Sequence, residues 1–206
     1  MAGLTVAPVV GRAPVRLAGA VGRPPPAAAL DATNDTWEIV FVNDGSRDRS
    51  AAILKDQYLR RPDATRVILF NANYGQHLAI VAGFEHCRGE QVVTMDADLQ
   101  NPPEEIGKLL AAMNAGHDYV GSIRRARKDV WWRSIASKAM NALRERITGI
   151  KMTDQGCMLR AYNRDIVRAI VASREVSTFI PALAYTFSYS PVEIEVEHAE
   201  RAAGES

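Results

Sequence analysis

The triplet Asp96-Ala97-Asp98 sets two carboxylates one residue apart. Hard oxygen donors at that spacing can close on a divalent cation such as Mg²⁺ or Mn²⁺. A cation held there would bridge a diphosphate and neutralise charge on a departing phosphate oxygen. Asp-x-Asp is also common in solvated loops, but here it directly follows the apolar run Val92-Val93-Thr94-Met95, which reads as a strand. Gln100 stands two residues further on. Other polar groups follow other strand-like runs in the same way. Asn43 and Asp44 follow 38–42, Asn71, Asn73 and His77 follow 66–70, and Arg124 and Arg125 follow 118–123. Guanidinium forks after a strand suit phosphate oxygens.

These groups need a scaffold that brings strand ends together. The run 38–42 is β-branched and aromatic and stops at the polar turn Asn43-Asp44-Gly45-Ser46. Asp48 or Ser50 can cap the helix that follows. Residues 66–70 read as a second strand, 75–87 as a helix, 91–95 as a third strand, and 118–123 as a fourth. Pro103 suits the start of a helix over 104–115. Residues 131–147 read as a long helix mixing Trp131, Trp132 and Leu143 with Arg133, Lys138, Arg144 and Arg146, a face suited to a membrane surface or to core packing. Residues 157–161 look extended, 164–172 helical, 179–187 ambiguous, and 192–197 like an edge strand. Strands alternating with helices give an α/β fold with a mostly parallel sheet, whose ligands sit at the carboxyl ends of the strands. If the four strands are parallel, all four polar groups share one rim.

Composition narrows the classes. With 206 residues and 47% hydrophobic content, one domain with a real core is expected, and two comfortable domains are not. The balance of 25 basic to 24 acidic residues makes no global positive field, so no nucleic-acid partner is expected. Cys87 and Cys157, far apart, exclude a disulfide framework or a multi-cysteine zinc site. No run of eighteen apolar residues appears, so no transmembrane segment is expected. Residues 1–36 hold half of the ten prolines, and Arg12, Arg16 and Arg23 occur there with no acid before Asp31. They read as a low-complexity, disordered segment, with a short strand over 4–10 as the alternative.

Taken in order, Glu38-Ile-Val-Phe-Val-Asn-Asp-Gly-Ser46, Asn73-Tyr-Gly-Gln-His77, Met95-Asp-Ala-Asp-Leu-Gln-Asn-Pro-Pro103, Asp154-Gln-Gly-Cys-Met-Leu-Arg-Ala-Tyr162, Ser177-Thr-Phe-Ile-Pro181 and His198-Ala-Glu-Arg201 resemble family 2 of the glycosyltransferases. The subgroup with a polyprenyl phosphate acceptor fits best, its arabinose-type members above all. The resemblance runs from Glu38 to Ser206. It implies a GT-A-like (nucleotide-diphospho-sugar transferase) fold that moves a sugar from a UDP-sugar donor to undecaprenyl phosphate, with inversion, in lipid A and cell-envelope glycan modification. The family works at the cytoplasmic face of the bacterial inner membrane, so a membrane surface is an implied partner.

The same resemblance implies site roles. Asp96 and Asp98 would hold the metal, Mg²⁺ or Mn²⁺, and the donor diphosphate, with Gln100 completing that loop. Asn43 and Asp44 would lie against uracil and ribose. Arg124 and Arg133 would bind the acceptor phosphate, and Asp154 would orient or deprotonate that acceptor. Arg201 would reach the donor diphosphate or the lipid phosphate. His77 and His198 would sit at the site edge. Cys157 has no base partner at a known spacing and is not expected to be a nucleophile.

The chain departs from the family at both ends. The family's opening strand, of the type Val-Val-Ile-Pro-Val-Tyr-Asn-Glu, has only a faint echo in 4–10, so a degraded or missing first strand is expected, with residues 37–206 forming an incomplete transferase domain. Relatives continue past the position of Ser206 into hydrophobic helices. An inactive fragment that at most binds nucleotide or a partner is therefore a second reading. A haloacid-dehalogenase-like phosphatase is a third. It too places Asp-x-Asp after an apolar strand, but that strand comes early in its domain.

Overall fold

The computed structural model describes residues 4–10, 30, 36–96, 101–124, 153–154, 156–175 and 179–197. Its strands are β1 (Leu4–Val10), β2 (Trp37–Asn43), β3 (Thr65–Leu69), β4 (Gln91–Asp96), β5 (Tyr119–Arg124), β6 (Arg160–Asn163) and β7 (Pro191–Val196). Its helices are α1 (Ser50–Arg60), α2 (Gln76–His86), α3 (Ile106–Asn114), α4 (Arg164–Ser173) and α5 (Ile180–Phe187), with a 3₁₀ turn at Pro103–Glu105.

The strands make one sheet in the order β3-β2-β1-β4-β6-β5-β7. β3, β2, β1 and β4 run parallel. β6 is antiparallel to both β4 and β5, so β5 and its neighbour β7 point the same way as β4. The carboxyl ends of β2, β3, β4 and β5 therefore share one rim, as the sequence predicts.

Period-two alternation divides the core between the two faces of the sheet. Ile39, Phe41, Val93 and Met95 point to one side, where they meet Leu54 of α1 and Ile106, Leu109 and Met113 of α3. Val40, Val42 and Val92 point to the other, against Ala79, Ile80 and Phe84 of α2, Ile166, Val167 and Ile170 of α4, and Ala184 of α5. The result is a three-layer α/β/α arrangement. Two helix starts follow local rules. Asn163, the N-cap of α4, accepts from Ile166 N at 2.9 Å through Oδ1, and Asp48, one residue ahead of the α1 N-cap Arg49, accepts from Ser50 N at 2.9 Å.

One expectation is corrected. The first strand is neither missing nor displaced: Leu4–Val10 pairs with β2 on one side and β4 on the other. Pro8 hides it in the sequence, because proline lacks the N–H that a central strand uses. The ladder tolerates it by interruption, since the pairing to β2 passes from Val6↔Ile39 to Val9↔Val42 and omits Ala7 and Pro8. Sheet edges that a lost strand would expose are thus covered. Leu30, also within the segment expected to lie outside the domain, is fully buried among the α1 and α3 side chains. The sheet thus includes Leu4–Val10. The segment 179–187, ambiguous in sequence, is helix α5, and of the extended 157–161 only Arg160 and Ala161 join a strand. The helix expected over 131–147 lies outside the described residues.

Candidate functional site

β1 levels the rim. Its last two residues face Asp96 across one edge (Val9↔Asp96) and Asn43 across the other (Val10↔Asn43). The polar ends of β2 and β4 therefore stand one strand apart at the same height.

On the β2 side, Asn43 and Asp44 are both buried, each 3% exposed. Asn43 Oδ1 accepts from Ser46 N at 2.9 Å and closes the turn. Asp44 accepts from Tyr74 N at 2.6 Å through Oδ1, and from Gly75 N and Asn73 Nδ2, each at 2.9 Å, through Oδ2. Its carboxylate thus pins the 73–75 loop that leads into α2. Between the aspartate and that loop, Gly45 has φ +67°, and a Cβ there would fall 2.3 Å from the Ala72 carbonyl carbon. Only glycine suits that conformation and that approach. An open cleft of about 770 Å³ lies outside this junction, lined by residues 45–48 and 70–73. Asn43 and Asp44 are not among its lining residues, but Asp44 bonds to Asn73, which is.

At the end of β4, Asp96 is half-buried, and its Oδ1 accepts from Gln76 Nε2 at 3.0 Å. Gln76 is the first residue of α2, so the loop pinned by Asp44 also delivers the amide that meets Asp96. Sequence reasoning did not single out Gln76, although it lies inside a quoted motif.

On the β5 side, Arg124 and Asp154 form a forked ion pair. Arg124 Nε donates to Asp154 Oδ2 at 2.7 Å and Nη2 donates to Oδ1 at 2.9 Å. The Arg124 backbone N adds a bond to Oδ2 at 3.2 Å, and Gly156 N adds one to Oδ1 at 3.0 Å. Burial pulls the Asp154 carboxyl upward, but these donors and the guanidinium charge outweigh it and hold the group below the usual carboxylate range. Arg124 is held more firmly protonated, first by its hydrogen bond to Asp154 and also by the charges of Asp154 and Asp96.

The loop around Asp154 is fixed from below. Arg160 is fully buried and donates through Nη2 to the Asp154 carbonyl at 2.7 Å, through Nε to the Cys157 carbonyl at 2.8 Å, and through Nη1 to Tyr119 Oη at 2.6 Å. Both carboxylate oxygens of Glu193, on β7, accept from Thr153 N at 3.0 Å. Thr94 Oγ1 donates to the Met158 carbonyl at 2.9 Å. Neither Arg160 nor Glu193 was foreseen. The sequence signal was slight, a lone cation in the run Cys157-Met-Leu-Arg-Ala-Tyr162.

His77 Nε2 lies 2.8 Å from the Glu175 carbonyl and so ties α2 to the end of α4. Cys157 is buried, and burial pushes its thiol up, which agrees with the expectation that it is no nucleophile. Asp98, Gln100, Arg133, His198 and Arg201 lie outside the described residues. Among the described residues no three His, Cys, Asp or Glu side chains gather around one point, and Asp96 is the described member of the expected cation pair. Its carboxylate at a polar strand end suits a hard divalent cation in donor type. Among the described residues no helix is long and apolar enough to cross a membrane.

Comparison with known proteins agrees with this architecture. The family model described as glycosyl transferase family 2 matches residues 27–171. A relative from Edwardsiella ictaluri, named undecaprenyl-phosphate 4-deoxy-4-formamido-L-arabinose transferase, is 51% identical over 179 residues, which are 87% of this chain and 55% of the relative. One of the same name from Pseudomonas aeruginosa is 55% identical over 170 residues, 82% of this chain and 50% of that protein. The chain spans about half the length of the curated relatives it matches. Among solved structures, glucosyl-3-phosphoglycerate synthase from Mycobacterium tuberculosis in complex with Mn²⁺, UDP and glucosyl-3-phosphoglycerate aligns with a TM-score of 0.62 at 16% identity, over 97% of this chain and 73% of that one. S. aureus TarS 1-349 in complex with UDP-GlcNAc aligns with a TM-score of 0.56 at 16% identity, over 100% and 62% of the two chains. The solved structures share the GT-A-like fold with this chain. With the family model covering the sheet from β2 through β6 and relatives half identical over most of the sequence, the chain belongs to glycosyl transferase family 2.

Proposed function

We propose that this chain carries the catalytic half of a transferase that moves a sugar from a UDP-sugar to polyprenyl phosphate, undecaprenyl phosphate in the cell envelope. The observation that carries this reading is the shared rim. Asp96, the turn built by Asn43 and Asp44, and the Arg124–Asp154 fork all stand at the carboxyl ends of parallel strands. The names of the relatives support the acceptor, and the complex of a structural neighbour with Mn²⁺ and UDP supports a metal-assisted nucleotide donor.

In this reading the nucleotide lies in the cleft over residues 45–48, with Asn43 and Asp44 holding its walls in shape. Asp96 and Asp98 would hold Mg²⁺ or Mn²⁺ with the diphosphate, and Gln100 and Arg201 complete the grip on it. The bound cation supplies charge neutralisation of the leaving diphosphate. Arg124 and Arg133 receive the lipid phosphate, with Asp154 beside it. One phosphate oxygen then attacks the anomeric carbon in line, the bond from that carbon to the UDP oxygen breaks, and UDP takes the electron pair, with inversion. A phosphate nucleophile is already anionic at neutral pH, so the chain's contribution is mainly orientation and charge placement. A polyprenyl acceptor requires that the site work beside a membrane surface.

Calorimetry with UDP, with and without Mn²⁺, tests the donor side. Metal-dependent binding that disappears in Asp98→Ala is expected. Binding that is indifferent to Mn²⁺, or unchanged in that variant, would overturn the reading. Incubation with UDP-sugars and undecaprenyl phosphate tests the acceptor side by the appearance of a glycosyl-phosphate lipid. UDP binding without turnover would favour the inactive-fragment reading. Hydrolysis of a simple phosphate ester without any UDP-sugar would favour the phosphatase.

A further inference from the structure

The reading above leaves Asp154 two roles, orienting the acceptor or deprotonating it, and the geometry separates them. A carboxylate offers about four acceptor positions. At Asp154 all are engaged, two donors on each oxygen, from Arg124 Nε, Arg124 Nη2, Arg124 N and Gly156 N. A base must keep a lone pair for the incoming proton. The depressed proton affinity of the group points the same way. The side chain is only 14% exposed, whereas that of Arg124 is 41% exposed, and Nη1 lies outside the fork.

The backbone under the fork is held as well. Arg160 grips the Asp154 and Cys157 carbonyls, and Glu193 grips Thr153 N. Gly156 completes the fit, because a Cβ there would stand 2.8 Å from Arg124 Nη2 and 3.6 Å from Asp154 Oδ1. Any side chain at 156 would therefore push the guanidinium off its seat. The obstacle is the far end of a flexible side chain, so the displacement would move Arg124 without disturbing the fold.

We propose that Asp154 is a positioning residue, an anchor that fixes Arg124 with its outer edge turned to the acceptor phosphate, and that the missing side chain at Gly156 is part of the same device. This rests on the proposed meeting of Arg124 with the lipid phosphate. The two roles predict opposite outcomes for Gly156→Ala, which keeps the carboxylate and moves the arginine.

The test uses the full chain and farnesyl phosphate, a short polyprenyl phosphate, as the probe, with the UDP and Mn²⁺ affinity and the melting temperature as controls. Asp154→Asn and Gly156→Ala are each expected to weaken farnesyl phosphate binding about tenfold while the UDP affinity holds. The double variant should be no weaker than either single one, because both act through one guanidinium. The Arg124 Nε–H resonance in arginine-labelled protein should move in both variants, a signature that general loosening would not give selectively. Turnover of Gly156→Ala should fall through the acceptor KM, with kcat nearly kept. Wild-type affinity for farnesyl phosphate in Gly156→Ala, with the Nε–H resonance shifted, would overturn the proposal alone. So would an Asp154→Asn variant that binds as wild type but loses kcat by a hundredfold or more, on the order of what removing a general base costs. A wild-type chain that does not bind farnesyl phosphate would overturn the acceptor reading, and the anchor with it.

Discussion

The two halves of the rim use an aspartate in opposite ways. At the end of β2, Asp44 collects neutral donors, two backbone N–H groups and one side-chain amide, and so shapes a loop. Beyond β5, Asp154 collects a guanidinium and so aims a charge. The first arrangement fixes a loop at the wall of a cleft and brings no charged partner to the carboxylate. The second holds a cation at the surface while a second cation, Arg160, secures the loop from inside. The contrast supports reading Asp154, like Asp44, as a structural acceptor, and leaves Asp96 and Arg124 as the rim charges that the proposed function uses.

This contrast can be broken at several points. The largest effect is expected at Arg160, where truncation to Ala strips three acceptors of their donor in a fully buried site and opens a cavity. A loss of about 4 kcal/mol in urea unfolding is expected, with Arg160→Met costing less because it keeps volume. If Arg160→Ala unfolds like wild type, the loop is not held from below. Next comes Asp44→Ala, expected to lose about 2–3 kcal/mol because Tyr74 N, Gly75 N and Asn73 Nδ2 lose their acceptor. Asp44→Asn should lose less because it keeps one acceptor oxygen, and a loss equal to that of Asp44→Ala would mean that both oxygens are needed.

Acid sharpens the comparison further. Asp118 is pulled up by burial but pulled down more by Ser188 Oγ, Tyr189 N and Ser190 N, so like Asp154 it is net depressed. Depressed carboxyls bind fewer protons in the folded state, so their stabilisation is complete above the unfolded value of about 4 and fades as pH falls through the folded one. The destabilisation caused by Asp118→Asn should therefore shrink between about pH 5 and pH 2. A penalty that is flat or growing across that window would contradict the assignment. Smallest of all is the exposed pair Arg168–Asp165, at 3.4 Å, where Arg168→Ala should change stability by less than about 0.5 kcal/mol.

Much of the scaffold was legible because strands β2 and β4 are β-branched runs that end in polar turns, a local signal. The rim followed from parallelism alone. β1 was harder, since Pro8 breaks the local signal and only pairing with β2 and β4 rescues it. Two of the three partners of Asp44 are backbone amides about thirty residues away, which no side-chain pattern announces. Arg160 misleads for a related reason. A cation in a short strand suggests an exposed edge, but β6 is inserted between β4 and β5, where every face is covered.

The place of β1 also sets an order of events during synthesis. It leaves the ribosome before any of its partners, yet one neighbour ends at Asn43 and the other only at Asp96. The inserted β6 comes later still, at Arg160–Asn163, and without it β5 and β7 have no bridge to β4. The nascent chain must therefore keep one edge of β1 open until Asp96 has emerged. The cleft wall of β2 and β3 can form well before the side of the rim that carries Arg124 is joined to it.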